Sequence, residues 1–458
     1  MNGLDLKIAL ARRTGALSRR SGRGGGTSLP GKVLLKLDPQ ALRKLSDRLP
    51  NGSAVISATN GKTTTAALTA AILEGAGHRL VHNRAGANMA GGIASTLLDA
   101  SHRGQINGDL GLFEVDEFWV PEVATQLQPR ALLLANLFRD QLDRYGELET
   151  IADRWSALLG TVATGSLVLN ADDPLIADLG RGRVEVTYFG VEDDSLAIPQ
   201  MQHASDSKHC RRCGAAYAYD AIYLGHLGDY HCASCGQERP LPTVYAQQVT
   251  LHGTTRATFM LVTPAGTRAV LLPLPGLYNV YNAVAAAALA LELGATLDQV
   301  VAGLQSSTAA FGRAEQVNID GTALTMLLIK NPAGANEIIR TLALEPDQLN
   351  LLAVLNDLTA DGRDVSWVWD ADFELLRDRV ERVTCAGTRA AELAVRFKYA
   401  GVPADRLTVT PDLSAALDQA VAAADGRLFA VPTYTAMLAL RKELVQRGHL
   451  TPYWQAAA

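Results

Sequence analysis

The chain has 458 residues, of which 48% are hydrophobic and 19% charged, and its formal charge is −5. That length makes two or three domains, each large enough to bury its own core, and the composition is ordinary for a globular protein. A mildly acidic balance with no recurring basic stripe excludes binding to nucleic acid as the main activity, because a phosphate backbone needs clustered lysine and arginine.

The basic residues that do cluster lie at the start, where "ARRTGALSRRSGRGGG" contributes five arginines within the first 23 residues beside a glycine run. Three readings compete: a flexible basic tail touching anionic lipid, a targeting segment, or a solvated helix leading into a loop. No apolar run there is long enough for a signal peptide or a membrane span. A cytoplasmic protein is therefore expected, with peripheral contact at the inner face of the plasma membrane as the lipid-facing reading.

Residues 53–58, "SAVISA", read as a short apolar strand, and "TTTAALTAAILEGAG" continues as a helix ending at Gly75 or Gly77. Strand, glycine-containing loop and helix, in that order, is the context of a phosphate loop. The Walker A glycine is missing, since Ile56 stands five residues before Gly61, but the context outweighs it. Backbone N–H groups from Asn60 to Thr63 would cradle phosphates, Lys62 would reach the outer ones and Thr63 would ligate Mg2+.

Further strands are expected at "LGLFEV" (110–115), "ALLLANL" (131–137) and "GSLVLNADD" (165–173), separated by helical patterns. Such alternation predicts a parallel α/β sheet. Acids and amides sit at the strand ends: Glu114 and Asp116, Asn136 and Asp140, Asn170 and Asp172. Ligands bind at that edge of an open sheet, although helix capping accounts for such residues equally simply.

"CRRC" at 210–213 and "CASC" at 232–235 are separated by eighteen residues. Each pair supplies two thiolates from a tight turn, and the segment between is long enough for a hairpin that brings them together. Cys210, Cys213, Cys232 and Cys235 thus predict a structural zinc ribbon, inserted at about 203–240. Gly214 and Gly236 follow each pair, where the knuckle needs a permissive backbone. Cys385 is left over as a small buried hydrophobe.

Sheet-like sequence resumes at 243, and "YNVYNAVAAAALALELG" makes an alanine-rich helix carrying Asn279 and Asn282 on one face. Helix capping after Gly276 is the plain alternative for these asparagines. The stretch "AAFGRAEQV" (309–317) marks a boundary, after which strands recur at "ALTMLLI", "LNLLAVLND", "RVTCAG" and "GRLFAVPTYTA". The expected organisation is a lead-in over 1–48, a central ATP-binding domain over 49–311 and a smaller α/β domain over 312–458. Three aspartates and two tryptophans crowd into "DGRDVSWVWD" (361–370). That density suits either packing or a partner contact.

In order and spacing, "ATNGKTTT", "FEVDE" (113–117), "NLFRDQLDRYGE" (136–147), "LNADDP" (169–174), "LPGLYNVYNAVAAA" (274–287) and "FGRAE" (311–315) resemble the Mur ligase superfamily. The resemblance implies a Mur-type central P-loop domain and a Rossmann-like C-terminal domain. It also implies that ATP activates a carboxylate to an acyl phosphate, which an amine captures. On it, Thr59, Asn60, Gly61, Lys62, Thr63 and Thr64 hold ATP, and Thr63 and Glu114 hold Mg2+. Asn279 and Asn282 meet the adenine or its surroundings, and Arg313 contacts phosphate from the hinge.

Three departures narrow it. About 50 residues precede the loop, too few for a uridine-nucleotide domain; Gln141 replaces a metal-ligating histidine after Asp140; and no lysine occurs between Lys62 and Lys208 to serve as the carbamylated one. With the cysteine insertion, "LIKNPAGANE", "LNDLTADGRDVSWVWDADFE" and "VPTYTAML", the chain is similar to the MurT branch, synthetase subunits of lipid II isoglutaminyl synthases. That likeness implies amidation of D-glutamate on lipid II, with ammonia from a GatD-type glutaminase bound as a heterodimer. Asp364, or failing it Asp361, would complete the glutaminase triad, while Asp370 caps a helix. The competing readings are an amino-acid ligase of the Mur or folylpolyglutamate kind and a zinc-ribbon scaffold with a degenerate ATPase. Against the related loop G-T-N-G-K-T-T, Ala58 is the one departure, and a positive φ there would strain it.

Overall fold

The computed structural model describes residues 3–20, 28–83, 87–102, 104–140, 148–161, 165–202, 205–307 and 313–451. The chain opens with α1 (Gly3–Arg20), α2 (Leu29–Leu37) and α3 (Ala41–Ser46), followed by β1 (Ser53–Ser57), α4 (Lys62–Gly75), β2 (Leu80–His82), α5 (Ala90–Ala100), and the short pair β3 (Ser101–His102) and β4 (Gln105–Ile106). Next come β5 (Leu110–Glu114), α6 (Val120–Leu127), β6 (Ala131–Leu134), α7 (Leu148–Thr161), β7 (Ser166–Asn170), α8 (Pro174–Ala177) and β8 (Val186–Val191). After the hairpin β9 (Ala218–Leu224) and β10 (Leu227–His231) stand β11 (Val244–His252), β12 (Arg256–Thr263), β13 (Gly266–Leu272), α9 (Leu277–Glu292) and α10 (Leu297–Gln305).

Among the described residues these strands build a nine-stranded sheet in the order β13-β12-β11-β8-β7-β6-β1-β5-β2. From β2 to β11 the pairing is parallel, as the alternation of strands and helices predicts, and β11 to β13 add an antiparallel edge. Over β1, β5, β6 and β7 both faces are covered, so those strands are buried almost throughout, whereas β11 to β13 alternate buried residues with more exposed ones. Ala54 and Ile56 of β1 enter one core, with α4 and α9, while Val55 enters the other, with α2, α5 and α7. The alanines of α9 have a packing reason. Residues Ala283 to Ala288 are each at most 1% exposed, and alanine side chains this small let the helix lie deep between α4 and the sheet.

The remaining elements are β14 (Arg313–Ile319), β15 (Thr322–Leu327), α11 (Pro332–Ala343), β16 (Leu349–Val354), β17 (Val380–Ala386), α12 (Ala390–Tyr399), β18 (Leu407–Val409), α13 (Leu413–Ala423), β19 (Arg427–Pro432) and α14 (Tyr434–Gln446). They form a second, six-stranded sheet in the order β14-β15-β19-β16-β17-β18. Leu351 and Ala353 face one of its cores and Leu352 and Val354 the other, the period of two that a doubly covered strand requires. The stretch expected to join the two sheets includes residues 308–312, which lie outside the described residues.

The cysteine insertion stands on the larger sheet through a buried carboxylate. Asp172 accepts from Arg239 Nε at 2.7 Å, from Tyr281 Oη at 2.6 Å and from the Val191 amide at 3.0 Å. Burial raises the Asp172 pKa, and Arg239, Tyr281 and Val191 offset that only in part. One side chain thereby ties the end of the insertion to β8 and to α9. At the other extremity, α1 is a helix as the solvated reading expected: Ile8, Ala11 and Gly15 are buried, and Leu6, Ala9, Leu10 and Arg13 are exposed.

Candidate functional site

The end of β1 turns through Ala58–Gly61 into α4 at the carboxyl edge of the larger sheet, where a parallel sheet presents its ligands. Gly61 has φ of 86°, and a Cβ there would lie 2.0 Å from Asn282 Oδ1. Only glycine fits that position. Ala58 takes no positive φ, so the loop carries it without strain.

Asn136, just beyond β6, clamps the loop from the side. Its Oδ1 accepts from the Asn60 amide at 2.9 Å, and its Nδ2 donates to the Asn60 carbonyl at 3.0 Å. Thr59 Oγ1 accepts from the Phe138 amide at 3.1 Å. No side-chain cap closes the start of α4 at Gly61, and a helix N-terminus following a glycine loop is where an anion is held.

Lys62 is 8% exposed, and its Nζ lies 2.8 Å from Glu117 Oε2 while also donating to the carbonyls of Ala58 and Thr59. Burial alone would lower its pKa, but the carboxylates of Glu117, Glu114 and Asp116 outweigh it and leave the value raised. A lysine raised in the folded state contributes stability throughout neutral pH and loses it only as pH climbs past its usual value of about 10.4. Glu114 ends β5 and is buried, with its amide and carbonyl both bonded to the Asn83 side chain. Its carboxylate thus belongs to an acidic group gathered around the loop lysine, the type of oxygen donor that Mg2+ takes.

The second sheet completes the site. Asn331 and Asn60 exchange amide hydrogen bonds of 3.0 and 3.3 Å, and Lys330 Nζ lies 2.5 Å from Asp140 Oδ2. Asn331 is also the N-cap of α11, its Oδ1 accepting from the Gly334 amide. The cleft between the sheets has a volume of about 160 Å³, and Thr59, Asn60, Gly61, Lys62, Thr63, Thr64 and Asn282 line it together with Lys330 and Glu337. Asn279 stands behind Asn282, accepting from Asn282 Nδ2 at 3.1 Å, while Asn282 Oδ1 accepts from Thr65. The pair therefore braces the loop from α9. Arg313 begins β14 opposite Leu327, and Gln141 lies outside the described residues.

The four cysteines of the insertion converge, with their sulfurs within 4.8 Å of one another. Two matching turns make this possible. The Cys210 carbonyl accepts from the Gly214 amide at 2.7 Å and the Cys232 carbonyl from the Gly236 amide at 2.9 Å, with φ of 77° at Gly214 and 71° at Gly236. Backbone hydrogen bonding from Cys235 and Ser234 lowers the Cys232 thiol, while the neighbouring sulfurs raise that of Cys235. Four sulfurs so arranged fit a tetrahedral thiolate metal and leave no open position. Among the described residues it is the one cluster of three or more His, Cys, Asp or Glu ligands suited to a metal. Cys385 is buried in β17, and burial pushes its thiol up to about 12.

The aspartates of 361–370 separate by environment. Asp361 is 4% exposed, and both of its oxygens are taken by Thr435, the amide at 2.7 Å and the hydroxyl more closely. Asp364 is exposed and accepts from the Ser366 amide at 2.8 Å; the Ser366 hydroxyl first, and then that amide, hold its carboxyl below the usual range. Asp370 ends the short 3-10 turn Ser366–Asp370 instead of starting a helix.

Sequence reasoning placed Asn136 among the acids and amides at the ligand-binding edge, where it clamps the loop, and missed Glu117, Lys330 and Asn331. Glu117 and Lys330 stand in motifs that the sequence does single out, but only the fold makes them face the loop.

Residues 56–290 match the Mur ligase middle domain and residues 328–437 the MurT ligase C-terminal domain. The chain is 33% identical to a lipid II isoglutaminyl synthase (glutamine-hydrolyzing) subunit MurT from Streptococcus pneumoniae, over 97% of this chain and 98% of that one. It is 32% identical to the subunit of the same name from Staphylococcus aureus, over 95% and 97% of the two. In fold it is similar to a pseudomurein peptide ligase type C from Methanothermus fervidus, with a TM-score of 0.65 at 23% identity over 87% of this chain and 79% of the other. MurF from Acinetobacter baumannii gives 0.65 at 18% identity over 92% and 80%.

Removing the Glu117 carboxylate would leave the Lys62 ammonium buried with carbonyl partners alone. Glu117→Ala should therefore lower the unfolding free energy by about 3 kcal/mol, and Glu117→Gln, which keeps an acceptor, by less. Urea titration reads both, and an unchanged midpoint in the alanine variant would refute a structural role for the pair.

Proposed function

The chain belongs to the MurT family of Mur ligases, and we propose that it is the synthetase subunit that amidates the α-carboxylate of D-glutamate in lipid II, a step of peptidoglycan synthesis. A carboxylate resists ammonia because its leaving group would be an oxide. Transfer of the γ-phosphoryl group of ATP to a carboxylate oxygen makes phosphate the leaving group. The ammonia nitrogen then bonds to the carbonyl carbon, the carbon–oxygen bond to phosphate breaks, and the amine loses a proton as the amide forms.

The observation that carries this reading is the cleft that joins the phosphate loop to Lys330 and Asn331 of the second sheet. In it, Thr59 to Thr64 hold the phosphates, Lys62 and Lys330 balance charge on the transferring group, and closure between the sheets keeps water from the acyl phosphate. Asn279 and Asn282 hold the loop in register, and Arg313 would contact phosphate, as the family resemblance implies. Thr63 and Glu114 would hold Mg2+, whose bound charge lowers the repulsion between nucleophile and phosphate. The domains follow the division at 49–311 and 312–458.

Ammonia comes from a separate GatD-type glutaminase in a heterodimer. This chain's own candidates for a nucleophilic thiol are four clustered cysteines and the buried Cys385, none of them suited to attack glutamine. Asp364 is the residue that would orient the partner's histidine, because it is exposed and its neighbour Asp361 is committed to Thr435. Lipid II is presented at a membrane. No helix among the described residues is long and apolar enough to cross one, but Leu6 and Leu10 of α1 are 61% and 50% exposed. The first 37 residues carry eight lysines and arginines against one acid. An apolar stripe with that charge suits the anionic inner face of the plasma membrane.

With ATP, glutamine and the partner, lipid II should lose about one mass unit as carboxylate becomes amide, and Lys62→Ala should abolish the change. Asp364→Asn should lose the glutamine-dependent reaction and keep the ammonia-dependent one; loss of both would place Asp364 elsewhere in the mechanism. Metal analysis should return one zinc per chain, falling to none in Cys213→Ser/Cys235→Ser. Flotation with vesicles rich in anionic lipid should recover the chain, and Leu6→Asp/Leu10→Asp should remain at the bottom; equal recovery of both would exclude the α1 stripe as the contact.

A further inference from the structure

The tip of the ribbon hairpin does not stand in solvent. Leu224 and Leu227, the residues on either side of its turn, line the same cleft as the phosphate loop. The turn itself is fixed from several sides. The Gly225 amide donates to Gln202 Oε1 at 2.9 Å, and its carbonyl accepts from Ser205 Oγ at 2.8 Å. His226 stacks at 4.7 Å against Phe138, which also lines the cleft. From the second sheet's side, Arg340 donates to the Tyr223 carbonyl at 2.8 Å, and from the larger sheet the Asp172 carbonyl accepts from the Gly228 amide at 3.0 Å. Gly225 has φ of 59°, and a Cβ there would lie 2.9 Å from Phe138 Cε1. The turn is therefore shaped to seat against that ring.

The lining of the cleft is of two chemical kinds. Lys62, Lys330 and Asn136 bring polar side chains to it, whereas Leu224, Leu227 and Ile338 bring apolar surface with no hydrogen-bonding side chain. A nucleoside triphosphate divides in the same way, into charged phosphates and a flat base that buries best against apolar surface. The strands that carry the two leucines run back to the cysteine knuckles, β9 beginning five residues after Cys213 and β10 ending at His231, beside Cys232.

We propose that the hairpin tip, through Leu224 and Leu227, is the wall on which the nucleotide base packs, so that closure of the four-cysteine ribbon sets nucleotide affinity. This rests on the reading of the cleft as the ATP site. It makes the ribbon part of substrate binding, with the metal holding together the far ends of the two strands.

Calorimetry of the full chain with ATP and, separately, with inorganic tripolyphosphate, both with Mg2+, tests it. Leu227→Ala should raise the Kd for ATP about tenfold and leave that for tripolyphosphate unchanged, because the latter has no base. Leu224→Ala is the independent second variant should Leu227→Ala fail to melt cooperatively. Cys213→Ser/Cys235→Ser should repeat the pattern. Unchanged ATP affinity in both leucine variants, or equal weakening for the two ligands, would overturn the proposal. Lys62→Ala separates the two levels of argument. It should weaken both ligands, and if it weakens neither, the cleft is not the ATP site and the underlying reading fails first.

Discussion

The buried carboxylate of Asp172 holds the architecture of the site. A charge at that depth is tolerable only with partners, and its partners come from three places: Arg239 from the end of the insertion, Tyr281 from α9, and the Val191 amide from the sheet. The backbone carbonyl of the same residue takes the amide of Gly228, next to Leu227. Tyr281 and Leu227 both line the cleft. The packing of the ribbon and the shape of the pocket are thus consequences of one satisfied charge, and neither can shift without exposing the other's polar groups to a dry interior.

The cleft is assembled from parts that could not make it alone. The larger sheet supplies the loop, and the second sheet supplies Lys330 and the start of α11. Their junction beside the cleft is polar: two asparagine side chains exchange hydrogen bonds, Lys330 pairs with Asp140, Arg340 donates to the Tyr223 carbonyl, and Glu345 accepts from the Thr254 amide and hydroxyl. Such contacts are individually modest, about 0.5–1.5 kcal/mol for a neutral hydrogen bond. A junction of that strength suits domains that must part to admit substrate and close to exclude water.

Much of this was legible in the chain itself. The phosphate loop reads from a strand, a glycine and a helix, and the ribbon reads from two cysteine pairs with a glycine after each. Parallel strands show as apolar runs because both faces are covered. The remainder depended on tertiary contacts. Nothing local distinguishes Asp361 from Asp364, three residues apart, yet one is consumed by Thr435 and the other faces solvent. Glu117 is three residues beyond the expected acid of its motif, and only the turn after β5 aims it at Lys62. Asn331 caps α11 ahead of Pro332, but its place in the site shows only when Asn60 is found opposite it. Sequence shows the ribbon only as an insertion, because spacing reveals a metal knuckle and says nothing about where the far end of its hairpin lies.

The short loop illustrates why a missing glycine need not be a missing function. The position that must be glycine is Gly61, where the chain turns left-handed under Asn282. At Ala58 the group in use is the backbone carbonyl, which accepts from Lys62 Nζ. A carbonyl is the same in alanine as in glycine, and φ at Ala58 is not positive. The methyl group instead packs into the core beneath α4 and α9. The loop has replaced conformational freedom at its start with a buried side chain, which fixes the backbone that Lys62 leans on.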